Sequence, residues 1–452
     1  MITRYSRRSV LTRFSAAGST LLMERTLPAL FMSPTEPASP HSKEAATLIA
    51  YFREKAPELL REARGQLRFP SISPSLPHST YSSELWDWDT LWTTRGLFRV
   101  AQLTGDRGLH SQIADHVRGS LDNFFDHQSS EGRIPMLISV QDSDPLGCLK
   151  GQRPHKENQA KPVLAQLALL LADESGEVSW FALYLDKLQA FYRSWTIDNM
   201  SSSGLFVWGD DVAIGNDNDP TTFGRPYFSS ANLLLNCLFY QDLMAAAELA
   251  RRLKFIQVST QFGDAAKSLG SAVQRHCWDP RDQFFYTADV QCIDRRAELI
   301  PNIRRGMPMS WESIPIRIQT FTGFLPMWCG LATREQSTAL VEHLSNPKTF
   351  FSNYGVRTLS AQESMYSLAQ STNPSNWLGP IWIISNYLVW KGLKDNGFQA
   401  EALELASTTI RMLARDLANT GGLNEYYHPD SGSPLSHSGF MDWNLLALEM
   451  IS

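Results

Sequence analysis

Apolar residues recur at three- and four-residue spacing through most of the chain, which is the period of an α-helix with one buried face. Strand-like alternation is sparse. Glycine and proline fall mainly between the periodic segments and mark loops, whereas Pro57 lies inside the first segment and predicts a break there. The sequence therefore predicts a mostly helical fold. Its helices are expected within Ala45–Glu62, Leu91–Leu103, Leu109–Phe125, Pro162–Leu171, Val178–Trp195, Ser229–Leu253, Gln261–Cys277, Gln336–Leu344, Trp382–Leu393 and Gln399–Leu417.

The helical pattern runs on without a linker-like shift in composition. At 452 residues the chain exceeds the usual single-domain size, yet nothing divides residues 43–452, so we expect one large domain there. Ser229 and Ser230 precede the run Ala231–Leu235 and predict the N-cap of a helix. The segment Gln283–Met309 is less helical and its aromatic start predicts a short strand. We interpret this segment as an insertion or lid.

Two acidic segments lie far apart in this apolar, aromatic-rich sequence. The first, Gly209–Pro220, carries the carboxylates of Asp210, Asp211, Asp217 and Asp219 within ten positions. The second, Asn424–Pro429, contains Glu425. Carboxylates clustered beside aromatic rings repel one another and lose hydration, so at least one should have a raised pKa and carry a proton at neutral pH. A protonated acid together with an ionised base is what hydrolysis of a glycosidic bond requires.

Two further segments, Trp86–Asp89 and Asn376–Trp382, place indole rings next to polar groups. A pyranose presents an apolar CH face that stacks on an aromatic ring, while its hydroxyls need fixed partners such as Asp89 and Asn376. These segments therefore predict a sugar-binding surface. An isolated residue such as Trp195, in plain helical surroundings, is instead expected to belong to the core.

With these motifs in this order, the chain resembles glycoside hydrolase family 63 and the trehalase-like enzymes, especially the bacterial mannosylglycerate and glucosylglycerate hydrolases. The matching segments are Trp86–Asp89, Gly215–Asn218, Trp377–Trp382 and Glu425–Gly432. Each motif is weak alone, but the ordered set is specific. The resemblance implies an all-α fold, an (α/α)6 barrel with loop insertions around the pocket, which suits motifs that fall in loops or at helix ends.

The resemblance also implies roles for single residues. Asp217 corresponds to the general acid and Glu425 to the general base of an inverting hydrolysis, acting on a short α-glucoside or α-mannoside. Such a pair needs carboxyl groups about 6.5–9.5 Å apart, which leaves room for the attacking water. Of the possible cleaved sugars, we expect α-glucose first and α-mannose second. Together with residues proposed from the acidic and aromatic segments themselves, the candidate substrate-binding residues are Trp86, Trp88, Asp89, Gln159, Trp208, Asp211, Gly215, Asn376, Trp377, Gly379, Trp382 and Tyr426.

The segment around the proposed acid departs from the family pattern. The family usually reads Asp-Asn-Ser-Pro-Arg, whereas here the residues from Asp217 to Thr221 read Asp-Asn-Asp-Pro-Thr. The additional carboxylate of Asp219 either raises the pKa of its neighbour by like-charge repulsion or is itself the acid. Asp210 and Asp211 fit sugar-hydroxyl acceptors or a solvated acidic loop equally well.

The sequence lacks the usual motifs for metal binding, for dinucleotide binding and for a catalytic serine nucleophile. Pro220 follows Asp217-x-Asp219 where an EF-hand loop needs a further ligand and a glycine. The ten histidines include no His-x-x-x-His pair, the cysteines no Cys-x-x-Cys, and there is no Gly-x-Ser-x-Gly or Gly-x-Gly-x-x-Gly. We therefore expect no cofactor and no required metal. His428, close to Glu425, is expected to be a hydrogen-bonding neighbour of the site rather than an essential group.

The overall charge argues against a nucleic-acid partner. A net charge of −5 and a pI of about 6.1, without a basic stripe, do not fit a phosphate backbone, so a small neutral or mildly anionic carbohydrate is the expected partner. The basic cluster Arg295-Arg296 with Arg304-Arg305 either faces an acidic aglycone such as glycerate or is simply solvated. The sequence contains no apolar run of twenty residues, so we expect no membrane span in the mature protein. Five cysteines without framework spacing look like buried small hydrophobes and do not settle the compartment.

Residues 1–42 differ from the rest of the chain. The sequence Ser6–Leu11 contains paired arginines and precedes the weakly apolar stretch Phe14–Leu22 and a Pro/Ser-rich segment, a pattern that resembles a twin-arginine export signal. Glu24-Arg25 interrupts the apolar run and no clean Ala-x-Ala site follows, so a disordered tail is the alternative. An export signal predicts a periplasmic or secreted protein, and a tail predicts a cytoplasmic one.

Two other functional classes remain open at this stage. A polysaccharide lyase on a similar helical toroid would use Tyr, His and Asn or Arg to remove a proton beside a uronate. A carbohydrate-binding protein without activity would explain the altered residues after Asn218. The presence of both Asp217 and Glu425 favours the hydrolase.

Overall fold

Paired helices follow one another along the chain, as the apolar periodicity predicts. A computed structural model describes residues 42–147, 149, 158–292, 311–369 and 375–451, all within the compact unit Thr35–Ser452. The α-helices of these residues are α1 (Lys43–Lys55), α2 (Asp87–Thr104), α3 (Arg107–Asp126), α4 (Leu164–Ser175), α5 (Leu185–Asn199), α6 (Leu233–Arg252), α7 (Ile256–Cys277), α8 (Leu325–Trp328), α9 (Arg334–Leu344), α10 (Ile383–Asp395) and α11 (Gln399–Thr420). Short 3₁₀ helices span Ala56–Leu59, Ser179–Tyr184, Phe321–Phe324 and Trp443–Leu448.

The strands of the described residues are short and antiparallel. They are β1 (Leu60–Arg61), β2 (Ser71–Ile72), β3 (Glu84–Trp86), β4 (Leu137–Ser139), β5 (Ser230–Ala231), β6 (Trp278–Asp279), β7 (Phe284–Phe285), β8 (Ala288–Asp289), β9 (Ile314–Pro315), β10 (Phe351–Ser352), β11 (Gly355–Val356), β12 (Tyr426–Tyr427) and β13 (Pro434–Ser436). They pair as β1–β2, β3–β4, β6–β7, β10–β11, β12–β13 and the three-stranded β5–β8–β9. Such small ribbons tie loops together and do not form a separate layer.

Six inner elements of the described chain close into a ring. Each of α2, α4, α6, α8 and α10 contacts the next, and the 3₁₀ helix Trp443–Leu448 packs on α10 and back against α2. Outer helices cover this ring: α3 packs on α2 and α4, α7 on α6, α11 on α10, and α1 on α2 and α11. This alternation of inner and outer helices is an (α/α)6 barrel, and the expected fold class is confirmed.

Burial explains which helices lie inside. Every residue of α10 from Ile383 to Trp390 is buried, as expected for a helix surrounded by others. The outer helix α7 instead buries one stripe, in which Phe262, Ala266, Leu269 and Val273 recur at three- and four-residue spacing. The inner helix α10 is therefore buried over this whole stretch, whereas the outer helix α7 is amphipathic.

The starts of several inner elements lie around one cavity. Asp89 lies in the first turn of α2, Lys161 lies three residues before α4, Trp382 is the N-cap of α10, and Trp443 begins the last 3₁₀ helix. Unpaired N–H groups and the helix dipole make the N-terminal end of a helix electrically positive. This end of the barrel is therefore suited to holding carboxylates.

Two of the three local structure predictions were confirmed. The helix α1 ends at Lys55 and a 3₁₀ turn takes up Pro57, so the predicted break is confirmed. The predicted aromatic strand is β7. The N-cap predicted at Ser229 and Ser230 is wrong, because β5 draws Ser230 into an extended pairing with β8, and Asn232 caps α6 by accepting from the Leu234 N–H at 2.8 Å. Residues 293–310 lie outside the described residues, so a lid there stays a prediction.

The apolar helix α6 and most of the described cysteines are buried inside the barrel. Among the described helices, α6 passes the length and composition test for a membrane span, with 72% of the tested window buried inside the barrel. Cys237, Cys277 and Cys329 are buried and Cys292 partly so, and all four are free thiols. Cys148 lies outside the described residues.

Candidate active site

One cavity at this end of the barrel brings the sequence motifs together. It encloses about 430 Å³, counting the open solvent at its mouth. Both proposed catalytic residues and five of the proposed binding residues line it. Its lining consists of Tyr81, Trp86, Trp88, Asp89, Lys161, Ala213, Gly215, Asp217, Ser375, Trp382, Glu425, Phe440 and Trp443.

The acidic loop presents Asp217 to this cavity through a tight turn. The Gly215 N–H donates to Asp217 Oδ1 at 3.2 Å. Gly215 has φ +99°, and a Cβ added there would lie 2.5 Å from Cζ2 of Trp88. Only glycine lets the loop backbone approach the Trp88 ring this closely. Asp217 itself is half-buried at the cavity wall.

Asp219, the alternative acid, has a structural role. Its side chain is buried, and its carboxylate accepts from Asn216 at 2.6 Å, from the Thr221 N–H at 2.7 Å and from Asn232 at 3.2 Å. It does not line the cavity. The extra carboxylate thus joins the acidic loop to the start of α6, and Asp217 is the acidic residue of this segment that faces the cavity.

The glycine turn yields a prediction. We expect Gly215→Ala to lower kcat/KM by about 100-fold, because a misplacement near 1 Å at a reacting group has that effect. We also expect a loss of about 1–3 kcal/mol in unfolding free energy from the left-handed backbone. Gly224→Ala is the matched control, since Gly224 has φ +70° but nothing within 4 Å of an added Cβ. Equal losses of activity in both variants would contradict this interpretation.

Glu425 lies at the mouth of a β-hairpin that also positions His437. The Glu425 N–H donates to the carbonyl of Ser436 at 2.9 Å, so the β12–β13 register places His437 opposite Glu425. His437 Nδ1 forms a short hydrogen bond with Glu425 Oε2. Burial raises the pKa of Glu425, the hydrogen bond from His437 lowers it, and the charge of Asp217 raises it. The same hydrogen bond raises the pKa of His437. His437 therefore favours the ionised form of this carboxylate.

We expect His437→Gln to move the acid limb of the kcat/KM profile to higher pH by about one unit. A charge-assisted hydrogen bond contributes about 1.5–3 kcal/mol, and one pKa unit corresponds to about 1.4 kcal/mol. Without the imidazolium the pKa of Glu425 rises, so more acid-side activity is lost. The control is His428→Gln: His428 accepts from the Asp430 N–H at 3.1 Å within its own turn and does not line the cavity. An unshifted profile in His437→Gln, or an equal shift in the control, would contradict this role.

A stack of aromatic rings forms one wall. Trp382 is buried between Trp377, at 3.9 Å and 12°, and Tyr426, at 4.8 Å and 25° between ring planes. Trp377 and Tyr426 thus lie behind Trp382. Asn376 Oδ1 accepts from Asn218 at 3.2 Å, and Asn218 Oδ1 accepts from the Trp377 N–H at 2.6 Å. These bonds join the acidic loop to the tryptophan segment.

A buried ion pair supports the start of α2. Lys161 Nζ lies 2.9 Å from Asp87 Oδ1, and the Lys161 N–H donates to Asp87 Oδ2 at 2.6 Å. The ammonium also lies 5.5 Å from the centroid of the Trp88 ring. Asp89, two residues on, faces the cavity, and burial raises its pKa to about 7. The positive charge of Lys161 is thus shared between two carboxylates and one indole.

The other proposed binding residues do not line this cavity. Gln159 is buried and accepts from Ser194 at 3.1 Å, and Trp208 is buried with its ring edge against Trp195. Gly379 has φ +137° in a buried turn, and Asp211 is a half-buried member of the acidic loop. Asn376, Trp377 and Tyr426 form the layer behind Trp382. A direct sugar contact for these seven residues stays a prediction.

Sequence reasoning missed cavity residues that only the tertiary fold brings in. They are Tyr81, Lys161, Ala213, Ser375, Phe440 and Trp443, together with His437 beside Glu425. Of these residues, only His437 could have been found from the sequence. The turn at Asp430–Gly432 predicts a hairpin, and in its register His437 lies opposite Glu425. Among the described residues, no group of three or more His, Cys, Asp or Glu side chains is placed to hold a metal.

An (α/α)6 barrel with two carboxyl groups on one cavity is the architecture of the glycoside hydrolases that are built on this barrel. More specifically, the chain belongs to the family of mannosylglycerate hydrolase MGH1-like glycoside hydrolase domains, whose profile matches residues 85–443. The stated resemblance to this family is confirmed.

Curated relatives match over shorter stretches. A mannosylglycerate hydrolase of Thermus thermophilus is 28% identical over 147 residues, which is 32% of each chain. A probable mannosyl-oligosaccharide glucosidase of Schizosaccharomyces pombe is 26% identical over 29% of this chain and 17% of the relative. The matches thus span about a third or less of these relatives.

Solved structures match over nearly the whole barrel. A GH63 mannosylglycerate hydrolase from Thermus thermophilus, in complex with glucose, has a TM-score of 0.63 at 19% identity, covering 88% of this chain and 99% of that one. Neutral trehalase Nth1 of Saccharomyces cerevisiae has a TM-score of 0.58 at 16% identity, covering 89% and 80%. At these identities the similarity establishes the fold.

Proposed function

We propose that this chain is an inverting α-glycosidase that hydrolyses a short α-glucoside or α-mannoside. The observation that carries the proposal is the placement of Asp217 and Glu425 on one cavity. Two carboxyl groups facing one sugar site are the catalytic requirement of glycoside hydrolysis.

The environment of each carboxyl group suits a different role. His437 hydrogen-bonds Glu425 and favours its ionised form, as a general base requires. Asp217 lies on the opposing loop and carries the proton for the leaving oxygen. As the glycosidic bond breaks, Asp217 donates this proton, Glu425 removes one from water, and the hydroxyl attacks the opposite face of an oxocarbenium-like centre. The product sugar therefore has the inverted configuration.

The cavity walls suit a sugar. Trp86, Trp88 and Trp443 line the cavity with apolar rings for sugar CH groups, and Asp89 offers a polar partner for hydroxyls. Relatives are named mannosylglycerate hydrolase, and the neighbouring structure is a complex with glucose, which supports both sugars as candidates. Arg295, Arg296, Arg304 and Arg305, proposed partners of an acidic aglycone, lie outside the described residues.

A substrate panel tests this proposal. Purified protein is incubated with trehalose, kojibiose, mannosylglycerate and glucosylglycerate, and released glucose or mannose is measured beside the Asp217→Asn and Glu425→Gln variants. We expect turnover of at least one α-glucoside or α-mannoside and none in either variant. An unsaturated, ultraviolet-absorbing product from a uronate polymer would favour a lyase. Sugar binding without any turnover would favour a carbohydrate-binding protein.

We also propose export through the twin-arginine pathway, on the basis of Arg7-Arg8 and the apolar stretch that follows. Residues 1–41 lie outside the described residues, so this proposal rests on sequence. Cell fractionation tests it: the wild-type chain is expected in the periplasm or medium, and a variant with both arginines replaced by lysine in the cytoplasm. Wild-type protein confined to the cytoplasm would overturn it.

A further inference from the structure

The first half of the acidic loop is held by a side chain from outside the loop. Residues 209–215 contain no helix or strand, so their backbone groups need partners elsewhere. Asn158 is buried in the segment that leads into α4. Its Oδ1 accepts from the Gly209 N–H at 2.9 Å, and its Nδ2 donates to Asp210 Oδ1 at 2.6 Å and to the carbonyl of Val212 at 3.1 Å. One amide, a donor and an acceptor at once, thus joins three successive parts of the loop.

The segment that carries Asn158 is itself fixed to the barrel. The carbonyl of Asn158 accepts from Nη2 of Arg133 at 3.2 Å, and Arg133 is buried. Two residues on, the Ala160 N–H donates to the carbonyl of Ile134 at 2.8 Å. The carbonyl of Ala160 in turn accepts from the indole N–H of Trp195 at 3.1 Å. A side chain that projects from so well supported a backbone can hold a loop in one position.

The residues that Asn158 holds lead directly into the turn beside Asp217. Ala213, which lines the cavity, has φ +54°, a left-handed backbone that a non-glycine residue keeps only when its surroundings fix it. Two residues later, Gly215 lies against the Trp88 ring and donates its N–H to Asp217. The hydrogen bonds of Asp219 hold the other side of the turn. The proposed acid therefore lies between two anchors, and Asn158 provides the one on the N-terminal side.

We propose that Asn158 is a positioning residue for the general acid: it fixes the first half of the acidic loop and thereby holds the Asp217 carboxyl group at the leaving oxygen. This inference rests on the proposed function, in which Asp217 is the acid. Glu425 belongs to the separate β12–β13 hairpin. Loss of the Asn158 amide should therefore impair protonation of the leaving group more than attack by water.

The test compares an α-glucoside or α-mannoside with the α-glycosyl fluoride of the same sugar, whose leaving group needs little protonation. For Asn158→Ala we expect kcat/KM on the glycoside to fall by about 10- to 100-fold, because a misplacement near 1 Å at a reacting group costs about 100-fold. With the fluoride most of this loss should disappear.

The matched control is Asn123→Ala. Asn123, on the outer helix α3, is buried and brackets the backbone of Phe69, accepting from its N–H at 3.2 Å and donating to its carbonyl at 2.9 Å. Its removal deletes a comparable pair of buried hydrogen bonds away from the acidic loop. We expect this variant to lose stability while the ratio of the rates on glycoside and fluoride stays that of wild type.

The outcomes separate this inference from the proposed function. Equal losses on both substrates in Asn158→Ala, or no loss, would overturn the positioning role alone, provided that Asp217→Asn depends on the leaving group. Equal losses in Asp217→Asn would overturn the acid and this inference with it. Should Asn158→Ala not fold, Asp210→Ala decides, because it removes the half-buried oxygen that accepts from both Asn158 Nδ2 and the Val212 N–H. That variant should show the same dependence on the leaving group, and an unchanged ratio would overturn the inference.

Discussion

Glu425→Gln is expected to lower kcat by about 100- to 10,000-fold, the range for loss of a positioned general base. Glutamine keeps the size of the side chain, so the hairpin and the bond to the Ser436 carbonyl should persist. Because the amide cannot accept a proton from water, activity should not return with a better leaving group. Azide, which needs no deprotonation, should restore turnover and yield a glycosyl azide of inverted configuration.

The matched control is Glu342→Gln, an exposed residue of helix α9. Its kcat and melting temperature should equal those of wild type. A Glu425→Gln variant that retains more than about a tenth of wild-type kcat would contradict the role of general base, since that loss falls below the range expected for such a group. Recovery with an activated leaving group would instead point to a general acid.

Asp217→Asn should show the complementary pattern. We expect kcat on an ordinary glycoside to fall by about 100- to 10,000-fold, because the leaving oxygen is no longer protonated. With a glycosyl fluoride, whose leaving group needs little protonation, most of this loss should disappear. The amide preserves an acceptor oxygen for the Gly215 N–H, so the turn beside Trp88 should remain.

Asp264→Asn, on the exposed face of the outer helix α7, serves as the control for this substitution. Equal loss on glycoside and fluoride would show that Asp217 is not the acid. Asp219→Asn offers a further contrast, because Asp219 holds its turn through Asn216, Thr221 and Asn232. We expect that variant to lose stability without the leaving-group dependence.

The cavity positions of Asp217 and Glu425 could be predicted from sequence because each belongs to a short segment whose local conformation is self-contained. Asp217 follows a glycine turn, and Glu425 precedes a two-residue strand. Their residue types and spacing can therefore be recognised in the sequence. The same holds for Trp86–Asp89, which opens α2, and for Trp382, which caps α10.

The remaining site residues depend on contacts between distant parts of the chain. Trp443 reaches the cavity only because the last inner element packs back on α2, across about 350 residues of sequence, as the bond from Thr93 to Asp442 shows. An ion pair with the buried carboxylate of Asp87 holds Lys161 in position. No local periodicity encodes such pairings, so sequence reasoning selected His428, whose bonds stay within its own turn, and passed over His437.

The residues after Asn218 that differ from the usual family pattern also have a physical explanation. The carboxylate of Asp219 is buried in three hydrogen bonds, and the Thr221 side chain meets Thr287 at 3.2 Å. The altered residues thus fasten the acidic loop to α6 and to the turn before β8, and leave the cavity-facing Asp217 in place. They are therefore no sign of a dead site.

A proton NMR time course of hydrolysis tests the central claim most directly. The purified protein is mixed with the α-glucoside or α-mannoside that it turns over fastest, and the anomeric signals of the released sugar are followed before mutarotation. The account predicts that the β-anomer appears first, and that both Asp217→Asn and Glu425→Gln abolish its release. Initial release of the α-anomer would contradict it, because a retained configuration requires a covalent intermediate rather than direct attack by water.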